Sequence, residues 1–201
     1  ISKRDEEKQL LLQEIHHRVK NNFQIVSSLL QLQTKGIKDP EALALAIEGQ
    51  NRVKSMALIH EKLYQNDNLA FEIEGYVKSL INDINKVYQS TLVEVVIKIP
   101  ETLILDIDTA IPLGLILNEL ITNAFKYAFC DSGVNKLVIT CDKQKGNNLL
   151  TVSDNGQKSV SLLNKSKSIG LKLVKSLAKQ LHGHLDYEYD KGSVFKVYFK
   201  D

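Results

Sequence analysis

The sequence predicts an α+β protein in two parts, a two-helix hairpin followed by an α/β sandwich built on a mixed sheet. Three observations carry that expectation. Apolar residues recur every three or four positions through the first third of the chain, short alternating runs interleave with amphipathic stretches after it, and a polar break, Asn66-Asp-Asn68, separates the two textures. At 201 residues the chain is long enough for two modest units, expected at 1–66 and 67–201.

The first helix is expected over 6–35, where Leu12, Ile15, Val19, Phe23, Val26 and Leu30 mark one face. It stops in the stretch from Gly36 to Pro40, and a second helix over 42–65 repeats the pattern through Leu43, Ile47, Val53, Met56, Ile59 and Leu63. Two helices cannot enclose their own apolar stripe, so the hairpin is expected to pair with a second copy as a four-helix bundle. After the break, a short strand at 70–73, a helix at 74–88 and a strand at 93–99 ended by Pro100 are expected. A helix follows at 111–128. Strands at 136–142 and 148–153 flank the turn Lys145-Gly-Asn-Asn148, a helix spans 169–181, and a closing hairpin pairs 185–189 with 193–199 through Asp190-Lys-Gly192. Interleaved strands and helices of this kind imply helices packed on one face of the sheet.

Composition narrows the function. The formal charge is +2, with 26 basic and 24 acidic residues spread along the chain, so neither nucleic acid nor an anionic membrane is demanded as partner. Cys130 and Cys141 form no CxxC pair and no cluster with the histidines, which fits a reducing compartment and argues against zinc. No apolar run approaches the length of a membrane span and no leader pattern is present, so a soluble, cytoplasmic piece is expected. The opening Ser2-Lys-Arg-Asp-Glu-Glu-Lys8 reads as the continuation of a longer protein whose sensor region lies upstream.

Four segments carry candidate chemistry. On a wheel of about 100° per residue, the first helix turns His17 roughly opposite its apolar stripe and leaves His16 about 60° from the stripe's centre. An outward imidazole is a usable nucleophile near neutral pH, although two surface histidines in a polar helix face are also an ordinary occurrence. In the helix at 111–128, Glu119, Asn123 and Lys126 or Tyr127 share a face while Leu115, Leu120, Ile121 and Ala124 turn inward. An amide oxygen on that face suits magnesium and a lysine suits phosphate. Thr151-Val-Ser-Asp-Asn-Gly156 ends a strand with Asp154, a carboxylate able to accept a hydrogen bond from an adenine amino group, and Gly156, which permits close backbone approach; Asp-Asn-Gly is also a common turn. Ser168-Ile-Gly170 opens a helix whose backbone amides favour phosphate. No GxxxxGK[ST] loop exists, so a P-loop fold is disfavoured.

Glu14-Ile-His-His-Arg-Val-Lys-Asn-Asn22 resembles the phosphoacceptor box of histidine kinases with an HRxKNN signature, the HisKA_2 and HWE-like subfamily. Asn118-Glu-Leu-Ile-Thr-Asn-Ala-Phe-Lys-Tyr127 and the segments after it resemble the GHKL ATP-binding domain shared by histidine kinases, gyrase, Hsp90 and MutL. The resemblance covers nearly the whole chain, with the motifs in the family's order. It implies that His17, rather than His16, is phosphorylated, that Asn123 ligates Mg2+, and that Glu119 stands where GHKL ATPases keep a catalytic glutamate. It further implies that Lys126 and Tyr127 border the phosphates and adenine of ATP, that Asp154 reads adenine with Gly156 beside it, and that Ser168 and Gly170 follow a lid over 157–167. A homodimer and a response regulator whose aspartate receives the phosphoryl group are the implied partners. Two departures stand out. Lys158 replaces the second glycine of a DxGxG motif, which keeps open a degenerate ATP-binding scaffold or phosphotransfer module, and Glu119 keeps open a GHKL ATPase. Arg18 occupies the place of an acidic neighbour, so help from that side, and phosphatase activity by the usual route, are not implied.

Overall fold

The computed structural model describes residues 3–64, 72–88, 92–100, 103, 105–129, 133–144, 146–156, 169–189 and 191–200, with backbone alone described for 3–13, 16, 63–64 and 87–88. The chain divides into two compact units, Ile1–Ala70 and Phe71–Asp201.

The first unit is a helical hairpin in which α1 (Lys3–Thr34) packs on α2 (Pro40–Tyr64). The second helix starts two residues earlier than the periodicity suggested, for a local reason. Asp39 caps it, its Oδ1 accepting from the Glu41 N–H at 3.0 Å, and Pro40 takes the first helical position, where its missing N–H costs nothing. The face of α1 turned to α2 runs through Val19, Phe23, Ser27 and Leu30, each partly buried, against the buried Ser55, Ile59 and His60. Phe23 meets the His60 ring edge-on at 6.2 Å, and Lys20 Nζ reaches Glu61 at 3.1 Å. The expected stripe is therefore corrected at three places. Ile15 is 52% exposed, Val26 43% and Ile47 44%; Ser27, not Val26, continues the inward line, and Val26 joins Ile25, Leu29 and Leu32 on a second, exposed apolar face. Linear spacing merged two stripes that the packing separates.

The second unit is a five-stranded mixed sheet in the order β1-β2-β3-β5-β4, from β1 (Val93–Lys98), β2 (Asn135–Gln144), β3 (Asn147–Asp154), β4 (His184–Tyr189) and β5 (Ser193–Phe199). β1 runs parallel to β2, because the connection between them carries a helix, and the remaining neighbours are antiparallel. α3 (Ile73–Tyr88), α4 (Ile107–Asn123) and α5 (Ile169–Gln180) cover one face. Leu137, Ile139 and Cys141 of β2, Leu150 and Val152 of β3, and Phe195, Val197 and Phe199 of β5 point into that layer, while Thr140, Thr151 and Lys196 line up across the other face. α4 is the central helix, buried at Thr109, Ala110 and throughout Pro112–Ile121, and it reads apolar almost all round for that reason. Tyr76 of α3 is fully buried and donates its hydroxyl to the Gly114 carbonyl at 3.0 Å.

Several expected boundaries shift. Of the strand at 70–73, Ala70 and Phe71 lie outside the described residues and Ile73 instead opens α3, where its side chain is buried. The helix expected from 111 begins at Ile107, because the Asp106 carboxylate accepts from the Thr109 N–H at 2.8 Å and supplies a cap ahead of Pro112. It also ends early as an α-helix. From Ala124 to Ala128 the backbone forms a π-turn, closed by the Phe129 N–H bonding the Ala124 carbonyl at 3.3 Å, which widens the turn by one residue.

Candidate functional site

The site is built at the C-terminal end of α4 and its π-turn, the C-terminal end of β3, and the start of β5. Glu119 lies on α4 and is buried, 8% exposed. Four residues on, Asn123 is partly buried, and its Nδ2 is sealed from solvent with no acceptor among the described residues. A buried amide N–H without an acceptor is costly, by about 1–3 kcal/mol, so an oxygen acceptor brought by a ligand would be stabilised there. Lys126 is partly buried and Tyr127 is 43% exposed, both carried by the π-turn. Phe125 anchors that turn in the core, edge-on to Phe129 at 5.1 Å.

Opposite the π-turn stands Asp154. Its Oδ1 accepts from the Gly156 N–H at 2.9 Å and from the Ser193 N–H at 3.2 Å. Burial pushes this carboxyl above its ordinary range, and the hydrogen bonds from the Gly156 and Ser193 N–H groups and from the Ser193 side chain oppose that rise. Two glycines make the arrangement possible. A Cβ at Gly156 would lie 2.4 Å from both Cβ and O of Ala128, so only glycine lets the strand end close on the π-turn; a Cβ at Gly192, where φ is +156°, would lie 1.9 Å from the Asp154 carbonyl oxygen. Gly170 is buried at the start of α5, which packs on α4.

The structure thus gathers Glu119, Asn123, Lys126, Tyr127, Asp154, Gly156 and Gly170 within the second unit. Ser168, Lys158 and the expected lid at 157–167 lie outside the described residues. His17 sits on α1 in the first unit with its ring exposed; for His16 only the backbone is described. Sequence reasoning missed Ser193, which grips Asp154, and Asn155, whose Oδ1 accepts from the Lys136 N–H at 2.7 Å and whose Nδ2 donates to the Val134 carbonyl at 2.8 Å, tying the entry of β2 to the same corner. The clue to the first was Gly192-Ser193 directly after the hairpin turn, a small pair where a neighbouring strand end approaches.

Magnesium is commonly held by one or two protein groups together with substrate phosphates and waters. The Asn123 amide fits that mode: its oxygen suits the metal and its N–H2 a phosphate oxygen, and the sealed Nδ2, without an acceptor among the described residues, is the observation that fits a phosphate there.

Two protein-family descriptions match in tandem. One for histidine kinases covers residues 14–88, and one for histidine kinase-, DNA gyrase B- and HSP90-like ATPases covers residues 108–201. The chain belongs to the histidine kinases. It carries their two-part core. The sensor histidine kinase PdtaS of Mycolicibacterium smegmatis is 32% identical over 183 residues, and that of Mycobacterium tuberculosis 31% over 184. Each alignment covers 89% of this chain and 36% of the relative, so this histidine kinase core spans about a third of the length of those proteins. The histidine kinase domain of a blue-light-activated histidine kinase from Erythrobacter litoralis shares the fold, with a TM-score of 0.65 at 21% identity over 98% of this chain and 94% of that one.

Proposed function

We propose that this core autophosphorylates His17 from ATP and passes the phosphoryl group to an aspartate of a response regulator. The observation that carries the reading is the sealed Asn123 Nδ2, with no acceptor among the described residues, one turn before Lys126 and on the π-turn side that faces the end of β3. Asp154 would accept from the adenine amino group, leaving Lys126 and the amides at the start of α5, around Ser168 and Gly170, to the phosphates. Tyr127, exposed on the π-turn, would border the nucleotide. Glu119 would orient groups at the phosphate end. Mg2+, when bound at Asn123, supplies charge neutralisation for the triphosphate; the chain's own residues supply position. The units would act as a phosphoacceptor hairpin (1–66) and an ATP-binding domain (67–201).

The core would work as a homodimer. Ile25, Leu29 and Leu32, at 58, 55 and 62% exposure, repeat at helical spacing on α1, and Leu45 of α2 is 46% exposed, which supports a second copy as their cover. No helix among the described residues is long and apolar enough to cross a membrane, and we place the core in the cytoplasm as part of a longer sensor.

Incubation with γ-labelled ATP and Mg2+ tests this reading on the native chain, His17→Ala and Asn123→Ala. Label on the native chain alone supports it. ATP binding without label favours a degenerate scaffold, and steady hydrolysis without label favours a GHKL ATPase using Glu119.

A further inference from the structure

Glu14 is the sole carboxylate of α1 between Lys8 and Thr34, and it stands one turn before His17. Arg18 reaches back to it, Nε to Oε1 at 2.8 Å, although both side chains are well exposed. Side chains on a helix lean toward its N-terminus, so residues 17 and 18, its i+3 and i+4 neighbours, both lean over Glu14. The guanidinium fixes one oxygen; Oε2 has no donor among the described residues. On the other side of His17, Lys20 is committed to Glu61 of α2 at 3.1 Å, which keeps that carboxylate one turn farther along.

We propose that Glu14 is a positioning residue for His17, its Oε2 accepting the Nδ1–H of the imidazole. The proposal rests on His17 being the phosphoacceptor. An unaided neutral imidazole in water prefers its proton on Nε2, the outer nitrogen that an incoming phosphate reaches first. A carboxylate against Nδ1 reverses that preference and leaves the Nε2 lone pair free, the same logic by which a third group orients a catalytic histidine. In the transfer, the Nε2 lone pair forms the bond to the γ-phosphorus. The bond from that phosphorus to the bridging oxygen breaks, and the oxygen leaves with the electron pair on ADP. The proton stays on Nδ1, and the positive charge gained by the ring lies against Glu14.

The test uses the full chain with 15N-labelled histidine. In the native protein the neutral His17 ring is expected to show an unprotonated Nε2 and a protonated Nδ1; Glu14→Ala exchanges the two, and Glu14→Gln, with an uncharged acceptor, falls between. Alanine favours helix, so an exposed E14A keeps the hairpin. At saturating ATP, E14A is expected to lower kcat by roughly 10- to 100-fold with KM for ATP moved less than twofold. The proposal is overturned if native His17 already carries its proton on Nε2, if E14A leaves the ring pattern unchanged, or if label is incorporated at the native rate. A native chain that takes no label would defeat the kinase reading, yet the ring tautomers would still decide the role of Glu14.

Discussion

Gly156→Ala probes the closest approach in the candidate site. A Cβ there would sit 2.4 Å from Ala128 Cβ, 2.4 Å from Ala128 O and 2.5 Å from Ala128 Cα, and two of those three atoms are backbone, which cannot rotate away. Overpacking typically costs about 1–3 kcal/mol, and a clash with backbone belongs at the upper end, about 3 kcal/mol. Moving the strand end also stretches the 2.9 Å bond from the Gly156 N–H to Asp154, a bond to a partly buried carboxylate worth about 1.5–3 kcal/mol, so ATP affinity is expected to fall by about tenfold or more. The geometry makes a sharper statement about rescue. Ala128→Gly in the Gly156→Ala background removes one of the three contacts and recovers about 1 kcal/mol at most, while glycine at position 128 itself costs up to about 1 kcal/mol. Urea unfolding followed by tyrosine emission suits the question, since six of the seven tyrosines (76, 88, 127, 187, 189 and 198) lie in the second unit and the chain has no tryptophan. A Gly156→Ala protein within about 0.5 kcal/mol of native, or full rescue by Ala128→Gly, would refute the reasoning.

Asp154→Asn removes a desolvated charge while keeping an oxygen for the Gly156 and Ser193 N–H groups, so the second unit is expected to gain stability at neutral pH in a urea titration. Because burial raises the native carboxyl above its unfolded value, the native state binds its proton more tightly, native stability rises as pH falls through that window, and the advantage of the variant should vanish in acid; a constant gap across pH would contradict this. The same variant is expected to lose about tenfold or more in ATP affinity by calorimetry, since an amide N–H2 would face the adenine amino group. Leu29→Glu puts a charge on the exposed apolar face of α1, and sedimentation is expected to show dimer association at least tenfold weaker with helicity unchanged, on the order of the 1.5–3 kcal/mol that burying one leucine contributes. An undisturbed dimer would place the contact elsewhere.

Much of the fold was legible because single elements declared themselves locally. The closing hairpin, β2 and β3 alternate cleanly, and the structure extends β2 and β3 only by a residue or two at their ends. The helical hairpin was readable as helices but not as faces. α1 carries two apolar stripes, and nothing in the spacing of Val26 and Ser27 says which one meets α2. The start of α4 lies four residues before the expected 111 because the Asp106 cap, not the apolar spacing, sets it, and its end was illegible because a π-turn leaves no periodic signature. At the site, residue type nominated Asn123 and Asp154 only together with the family resemblance of their segments. Long-range contacts are another matter: the grip of Ser193 on Asp154, 39 positions away, depends on β3 lying beside β5, a pairing that no local pattern contains.

The central claim is that phosphate moves from ATP to His17. Mass spectrometry of the native chain after incubation with ATP and Mg2+, under alkaline conditions that preserve phosphohistidine, tests it directly. Fragment ions of the peptide spanning His16 and His17 are expected to carry one acid-labile phosphoryl group on His17. A phosphoryl group on His16, or ADP accumulating while that peptide stays unmodified, would contradict the account.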